Sequence, residues 1–81
     1  MGTRETNERK FGNWETLPGG GRRYWYEVLG RTRWRARYVK EVDVYERTLS
    51  FWQEIYNERG QVVERHLKFP EDRGHKKVHN E

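Results

Sequence analysis

Three histidines, arginines at every second position of one segment and four tryptophans are the residues of this 81-residue chain best suited to chemistry. Glu64 and His66 lie two apart, on one side of any strand that holds them. Asp72 and His75 follow Pro70, and a turn there would fold them back beside His66. Imidazole titrates near neutral pH, so a histidine with a carboxylate partner is the usual composition of a general acid–base pair. His66 and His75 as acid and base, with Asp72 orienting one of them, would suffice for metal-free RNA cleavage. The ribose 2′-hydroxyl would attack, and Arg65 or Lys68 would stabilise the phosphorane charge. The plainer reading makes His66 a surface residue and lets His75 cap a turn with Asp72. Metal ligation by His66, Asp72 and His75 lacks helical or cysteine-based ligand spacing, so neither metal nor cofactor is assigned.

Arg33, Arg35 and Arg37 form a second constellation. On a strand they share a face at intervals of about 7 Å, close to the spacing of successive phosphates along one nucleic-acid strand. Arg22 and Arg23 precede the neighbouring strand and could extend the patch. Trp25 and Trp34, with Trp52 and Tyr24, could stack on unpaired bases. Against this, the arginines could meet Glu54 and Glu64 across the sheet. In a chain so poor in leucine and isoleucine, the aromatics are also needed for the core.

Positioning these groups falls to a small domain. The hydrophobic fraction is 32% and the charged fraction 37%, a balance near that of disordered chains. Four Trp, five Tyr and three Phe argue for a folded middle, because each carries a large buriable area. There is no cysteine, which excludes disulfides and thiolate zinc sites. No apolar run reaches the length of a membrane span, and a cytoplasmic location without membrane partners is expected. The net charge is +4, with arginine far outnumbering lysine. Arginine's planar fork suits phosphate and aromatic faces, whereas interspersed acids suit plain solubility.

The alternation predicts strands. Residues 1–10 are polar without periodicity and read as a disordered tail, with Phe11 and Trp14 placed to pin the next segment to the fold. The glycines at 19–21 read as a flexible turn or linker, since no phosphate-loop pattern comes after them. Tyr24–Leu29 has strand composition, and a turn follows at Gly30-Arg31. Thr32, Trp34, Ala36 and Tyr38 alternate with Arg33, Arg35, Arg37 and Val39 in a strand that turns near Asp43. Arg47–Tyr56 fits both heptad-like and period-two patterns. The glycine of Asn57–Gly60 supplies a hairpin's left-handed position and favours strand. Gln61–Phe69 is its partner, ended by Pro70, and His75–His79 could add an edge strand. The expected fold is mainly β, a four-stranded antiparallel meander over residues 11–78 with 79–81 as a second tail. With no helix evident to cover the sheet, it would curl into a half-barrel or be completed by homodimerisation.

The segment Gln53–Gly60, His66 and the run Pro70-Glu71-Asp72-Arg73-Gly74-His75 resemble small prokaryotic toxin-type proteins of the TumE-like group. Those combine a β-rich body with a late segment holding Asp, Gly and His. The resemblance covers about the last 30 residues. Here the histidines are spread over two segments, and the N-terminal helix of larger messenger-cleaving toxins is not evident. The resemblance implies a ribonuclease toxin. The functions expected are therefore nucleic-acid association, RNA or single strands first, then a metal-independent ribonuclease, then a homo-oligomeric interaction module without catalysis.

Overall fold

Alternating aromatic and β-branched residues fit a pleated surface with one buried face, and most of the chain adopts it. The computed structural model describes residues 3–71 and 75–78. A helix, α1 (Arg4–Phe11), precedes β1 (Asn13–Thr16), β2 (Arg22–Leu29), β3 (Arg35–Val42), β4 (Thr48–Tyr56), β5 (Val62–Phe69) and β6 (His75–Lys77). Every neighbouring pair is antiparallel and the spatial order equals the chain order. A five-stranded meander is thus extended at one edge by the three-residue β6. The sheet is open: β1 and β6 are its edges, and it does not close into a barrel.

The four expected strands correspond to β2–β5, and the additional ones are the edges. β1 escapes a periodicity reading because all four of its residues are exposed. It is held through its backbone pairing to β2. The ambiguous Arg47–Tyr56 segment is strand β4, and Gly60 has φ 78°, the left-handed position its hairpin needs. Irregularities after Glu41, Phe51 and Ile55 interrupt the ladders on either side of β4 and bend the sheet locally. The glycines at 19–21 belong to the β1–β2 hairpin loop. There the Leu17 N–H donates to Gly21 O at 2.8 Å and the Gly20 N–H to Leu17 O at 3.0 Å.

The largest departure is at the N-terminus, where α1 occupies most of the expected disordered tail. Thr3 caps the helix by accepting from the Thr6 N–H at 3.1 Å. Gly12, at φ 80°, closes the other end by donating its N–H to Glu8 O. Glu5 in the first turn and Arg9 and Lys10 in the last complement the helix dipole. No apolar stripe announces this helix, since only Asn7 and Phe11 are buried. Phe11 is the apolar anchor, with its ring centroid 5.8 Å from that of Tyr24, 5.4 Å from Tyr26 and 6.5 Å from Phe51. Asn7 and Glu8 add polar ties. The Asn7 amide donates to Glu46 and its carbonyl oxygen accepts from Lys40, each at 3.1 Å, while Arg22 meets Glu8 at 2.6 Å.

The register sorts the strands onto two faces. Tyr24–Lys40–Phe51 and Tyr26–Tyr38–Gln53–His66 are cross-strand rows on the face that bears α1. Its core is Phe11, Tyr24 and Val42, flanked by Tyr26 and Phe51. The opposite face carries the row Asn13–Trp25–Val39–Trp52–Leu67. No described helix is long and apolar enough to cross a membrane.

Candidate nucleic-acid interface

The expected arginine row begins one step late. Arg33 lies in a short 3₁₀ turn, Arg31–Arg33, and both Thr32 and Arg33 have left-handed backbones, at φ 58° and 66°. Arg33 therefore leaves the ladder, because its backbone is not extended. Arg35 and Arg37 do share a face, but with a carboxylate between them. Arg37 donates to Glu27 Oε2 through Nε at 3.0 Å and Nη2 at 2.7 Å, and Arg35 Nη1 stands 3.8 Å from Oε1. Both guanidinium groups lie 5.4 Å from the centre of the Tyr56 ring. The bond to Glu27, more than burial, sets the Arg37 pKa above its ordinary value.

Arg22 and Arg23 do not extend this patch together, because adjacent strand residues face opposite ways. Arg22 lies on the α1 face, paired to Glu8 and 5.4 Å from the Trp14 ring centre. Arg23 lies on the open face between Glu41, at 2.7 Å, and Glu15, at 2.9 Å. The expected partner Glu64 pairs with Ile55 in the register and is on the α1 face, whereas Glu54 does meet an arginine, Arg65, at 3.6 Å. From strand to strand the described charged side chains of the open face alternate in sign: Arg23, Arg35, Arg37 and Arg65 against Glu15, Glu27, Glu41 and Glu54. Trp25 and Trp52 flank Val39 there and border a shallow depression of about 370 Å³ with Arg23, Arg37, Glu15 and Glu54. Val39 is 3% exposed. Glu54 is held by Trp52 Nε1–H at 3.1 Å and by the Tyr56 hydroxyl at 2.7 Å. Burial first, then the bond to Glu54, raises the Tyr56 pKa.

Arginines without an acidic partner among the described residues collect at one end of the sheet. The β2–β3 and β4–β5 turns lie side by side there, beyond the row Leu29–Arg35–Tyr56–Val62. Arg31, Arg33 and Arg59 sit in these turns with no carboxylate partner among the described residues. Every other described arginine has one within 4 Å. Trp34, in the same turn, is 39% exposed. Arg31 and Arg59 escaped the sequence reading because only the paired turns bring them near Arg33 and Trp34. Glu27 was missed as a partner because register, not spacing, sets it opposite Arg37.

His66 and His75 are Cα partners across β5 and β6, so the backbone brings the two expected catalytic positions side by side. Asp72 lies outside the described residues. Lys68 shares the His66 face, with Nζ 5.2 Å from the Tyr38 ring centre. Arg65 pairs with Glu54 in the register and faces the opposite way, so it cannot serve His66. Gln53, the cross-strand neighbour of His66, donates to the Tyr38 hydroxyl at 3.1 Å. No group of three or more His, Cys, Asp or Glu able to hold a metal occurs among the described residues.

No protein-family model matches this chain, and neither a curated protein nor a solved structure is similar enough to count as a match.

Proposed function

We propose that the protein associates with nucleic acid, RNA or single strands, through the arginine-bearing end of its sheet, and acts in the cytoplasm. The reading rests on one observation. Arg31, Arg33 and Arg59 lack described acidic partners and crowd one end, whereas the arginines of the strands are paired. Guanidinium groups on long side chains bind phosphates, and the exposed indole of Trp34 offers a stacking surface for a base. Arg35, the first residue of β3, borders that end with Glu27 3.8 Å from its Nη1. The expected contacts at Arg22, Arg23 and Arg37 are not retained, because these arginines are held by carboxylates, and Trp25 is set aside because it lies in the middle row of the open face, away from that end. Titration of a labelled single-stranded RNA at low and moderate salt tests this. Binding that weakens steeply with salt, and is lost in Arg31→Ala/Arg33→Ala/Arg59→Ala, is expected. No binding at low salt removes the reading.

A second reading, a toxin-type ribonuclease, is favoured by the apposition of His66 and His75 on β5 and β6. It accords with the resemblance to TumE-like proteins. One histidine would take the 2′-hydroxyl proton, the other would protonate the leaving 5′-oxygen, and Lys68 would stabilise the phosphorane. Expression of wild type beside His75→Ala decides it. Equal growth and intact RNA with both would end the enzymatic reading.

A further inference from the structure

The open face has a symmetry that the nucleic-acid reading does not use. Its middle row, Trp25–Val39–Trp52–Leu67, is apolar. On β2 this row is flanked by Arg23 on one side and Glu27 on the other; on β3 the order reverses, with Glu41 beside Arg23 and Arg37 beside Glu27. We propose that this face seats a second copy of the chain, related by a two-fold axis running along the Trp25–Val39–Trp52–Leu67 row. A rotation about that row exchanges the two flanking levels. Arg23 of one copy then faces Glu27 of the other, and Glu41 faces Arg37. The Arg23–Glu41 pair of one copy then lies over the reversed Glu27–Arg37 pair of the other, a checkerboard of alternating charge. On β4 the same rotation sets Glu54 against Ser50, which adds no like-charge contact.

The area is of the right order. Four strands about 4.8 Å apart and about eight residues long, with the four-residue β1 beside them, present roughly 580 Å² in projection, the same order as the roughly 800 Å² per partner of a standard interface. Two sheets packed with strands nearly aligned, about 10 Å apart, bring their inner side chains into contact. The need is also visible. The described residues bury only Phe11, Tyr24, Val39 and Val42 among the apolar ones, and α1 covers only one face. A small domain with so thin a core gains stability by self-association. The mixed-sign character of the described part of this face suits another copy of itself better than a polyanion. Arg31, Arg33 and Arg59 stand at the end of the sheet, outside this interface, so the two proposals succeed or fail separately.

Charge swaps that reverse the Glu27–Arg37 or the Arg23–Glu41 pair within the chain supply the test. Sedimentation equilibrium of the full chain at micromolar concentration is expected to give a dimer. Glu27→Arg/Arg37→Glu preserves a pair within the chain but sets like charges across the axis, and so does Arg23→Glu/Glu41→Arg. Each variant alone is expected to be monomeric with an unchanged far-UV circular dichroism spectrum. An equimolar mixture of the two restores opposite charges at every crossing and is expected to dimerise. Should either swap fail to fold, Trp25→Gln and Leu67→Gln, on the same row, must each shift the wild-type dimer to monomer. A wild type that remains monomeric, a dimer indifferent to both swaps, or a mixture that stays monomeric overturns the proposal. So does a dimer unmoved by Trp25→Gln and Leu67→Gln.

Discussion

The hydroxyl of Tyr24, whose side chain is fully buried, donates to Oε1 of Glu46 at 2.6 Å. The same carboxylate accepts from Asn7 at 3.1 Å and from Arg4 at 3.3 Å, so it joins the sheet to α1. Burial opposes the charged form of Glu46, but the bonds from Tyr24, Asn7 and Arg4 outweigh it and hold its pKa below the ordinary value. Asp43, bonded first by the Arg47 backbone N–H, is lowered as well. A carboxylate lowered in the folded state contributes stability above its unfolded pKa, about 4.3 for Glu, which is lost as pH falls through the folded value. Thermal melts are expected to show Tm dropping as the solution is acidified below about pH 4.5. Glu46→Gln should start lower at neutral pH and show a shallower acid decline. An equal decline in both proteins would remove Glu46 from the account.

Tyr24→Phe keeps the ring packing and deletes only the donor. A hydrogen bond to a charged group contributes about 1.5–3 kcal/mol. Urea unfolding at pH 7 is expected to show a loss of that order, with the secondary structure by circular dichroism unchanged.

Phe11 is 4% exposed and is the aromatic anchor of an otherwise polar helix. Phe11→Ala should cost about 3–5 kcal/mol, a large fraction of the stability of a domain this size. Hydrogen exchange is expected to show loss of protection in α1 before the strands. Equal protection of α1 in wild type and variant would show that the helix does not depend on this ring.

Gly21 has no room for a side chain, since an added Cβ would collide with the carbonyl oxygen of Val42. The obstacle is backbone, which cannot rotate away. Gly21→Ala is expected to destabilise by about 1–3 kcal/mol, whereas Gly12, with open space around it, would suffer only from its left-handed backbone. Comparing the melting temperatures of Gly21→Ala and Gly12→Asn tests this, with Gly12→Asn expected to be the milder change because Asn tolerates that conformation.

If the arginine-bearing end binds phosphates, each of Arg31→Ala and Arg33→Ala should weaken RNA binding about equally across sequences. Each should also reduce the slope of log affinity against log salt by about 1. Arg23→Ala, removed from that end, should leave the slope unchanged. A slope that depends on Arg23 and not on Arg31 would relocate the site.

Most of the sheet was legible because pleating imposes a two-residue period. Arg35, Ala36, Arg37 and Tyr38 alternate arginine with other side chains, and Gly60 marks the turn between Thr48–Tyr56 and Val62–Phe69. The candidate sites were less legible. Arg33 reads as the first rung of a ladder, and only the left-handed backbone at Thr32 and Arg33 takes it off. Arg65 and Lys68 read alike as helpers of His66, yet the register at Glu54 sends Arg65 to the other face.

Local spacing by itself determined most of β2–β5, the Gly60 turn and the facing of residues within those strands, because these depend on backbone geometry over a few residues. The residue register between neighbouring strands, and so which acid neutralises which arginine, was decided only by the assembled sheet. Glu27 and Arg37 are ten residues apart in the chain and 2.7 Å apart in space. The docking of α1 belongs to the same level. Eight largely polar residues carry no amphipathic signal of their own, and they are ordered by a single aromatic ring and by carboxylate bonds to residues far along the chain.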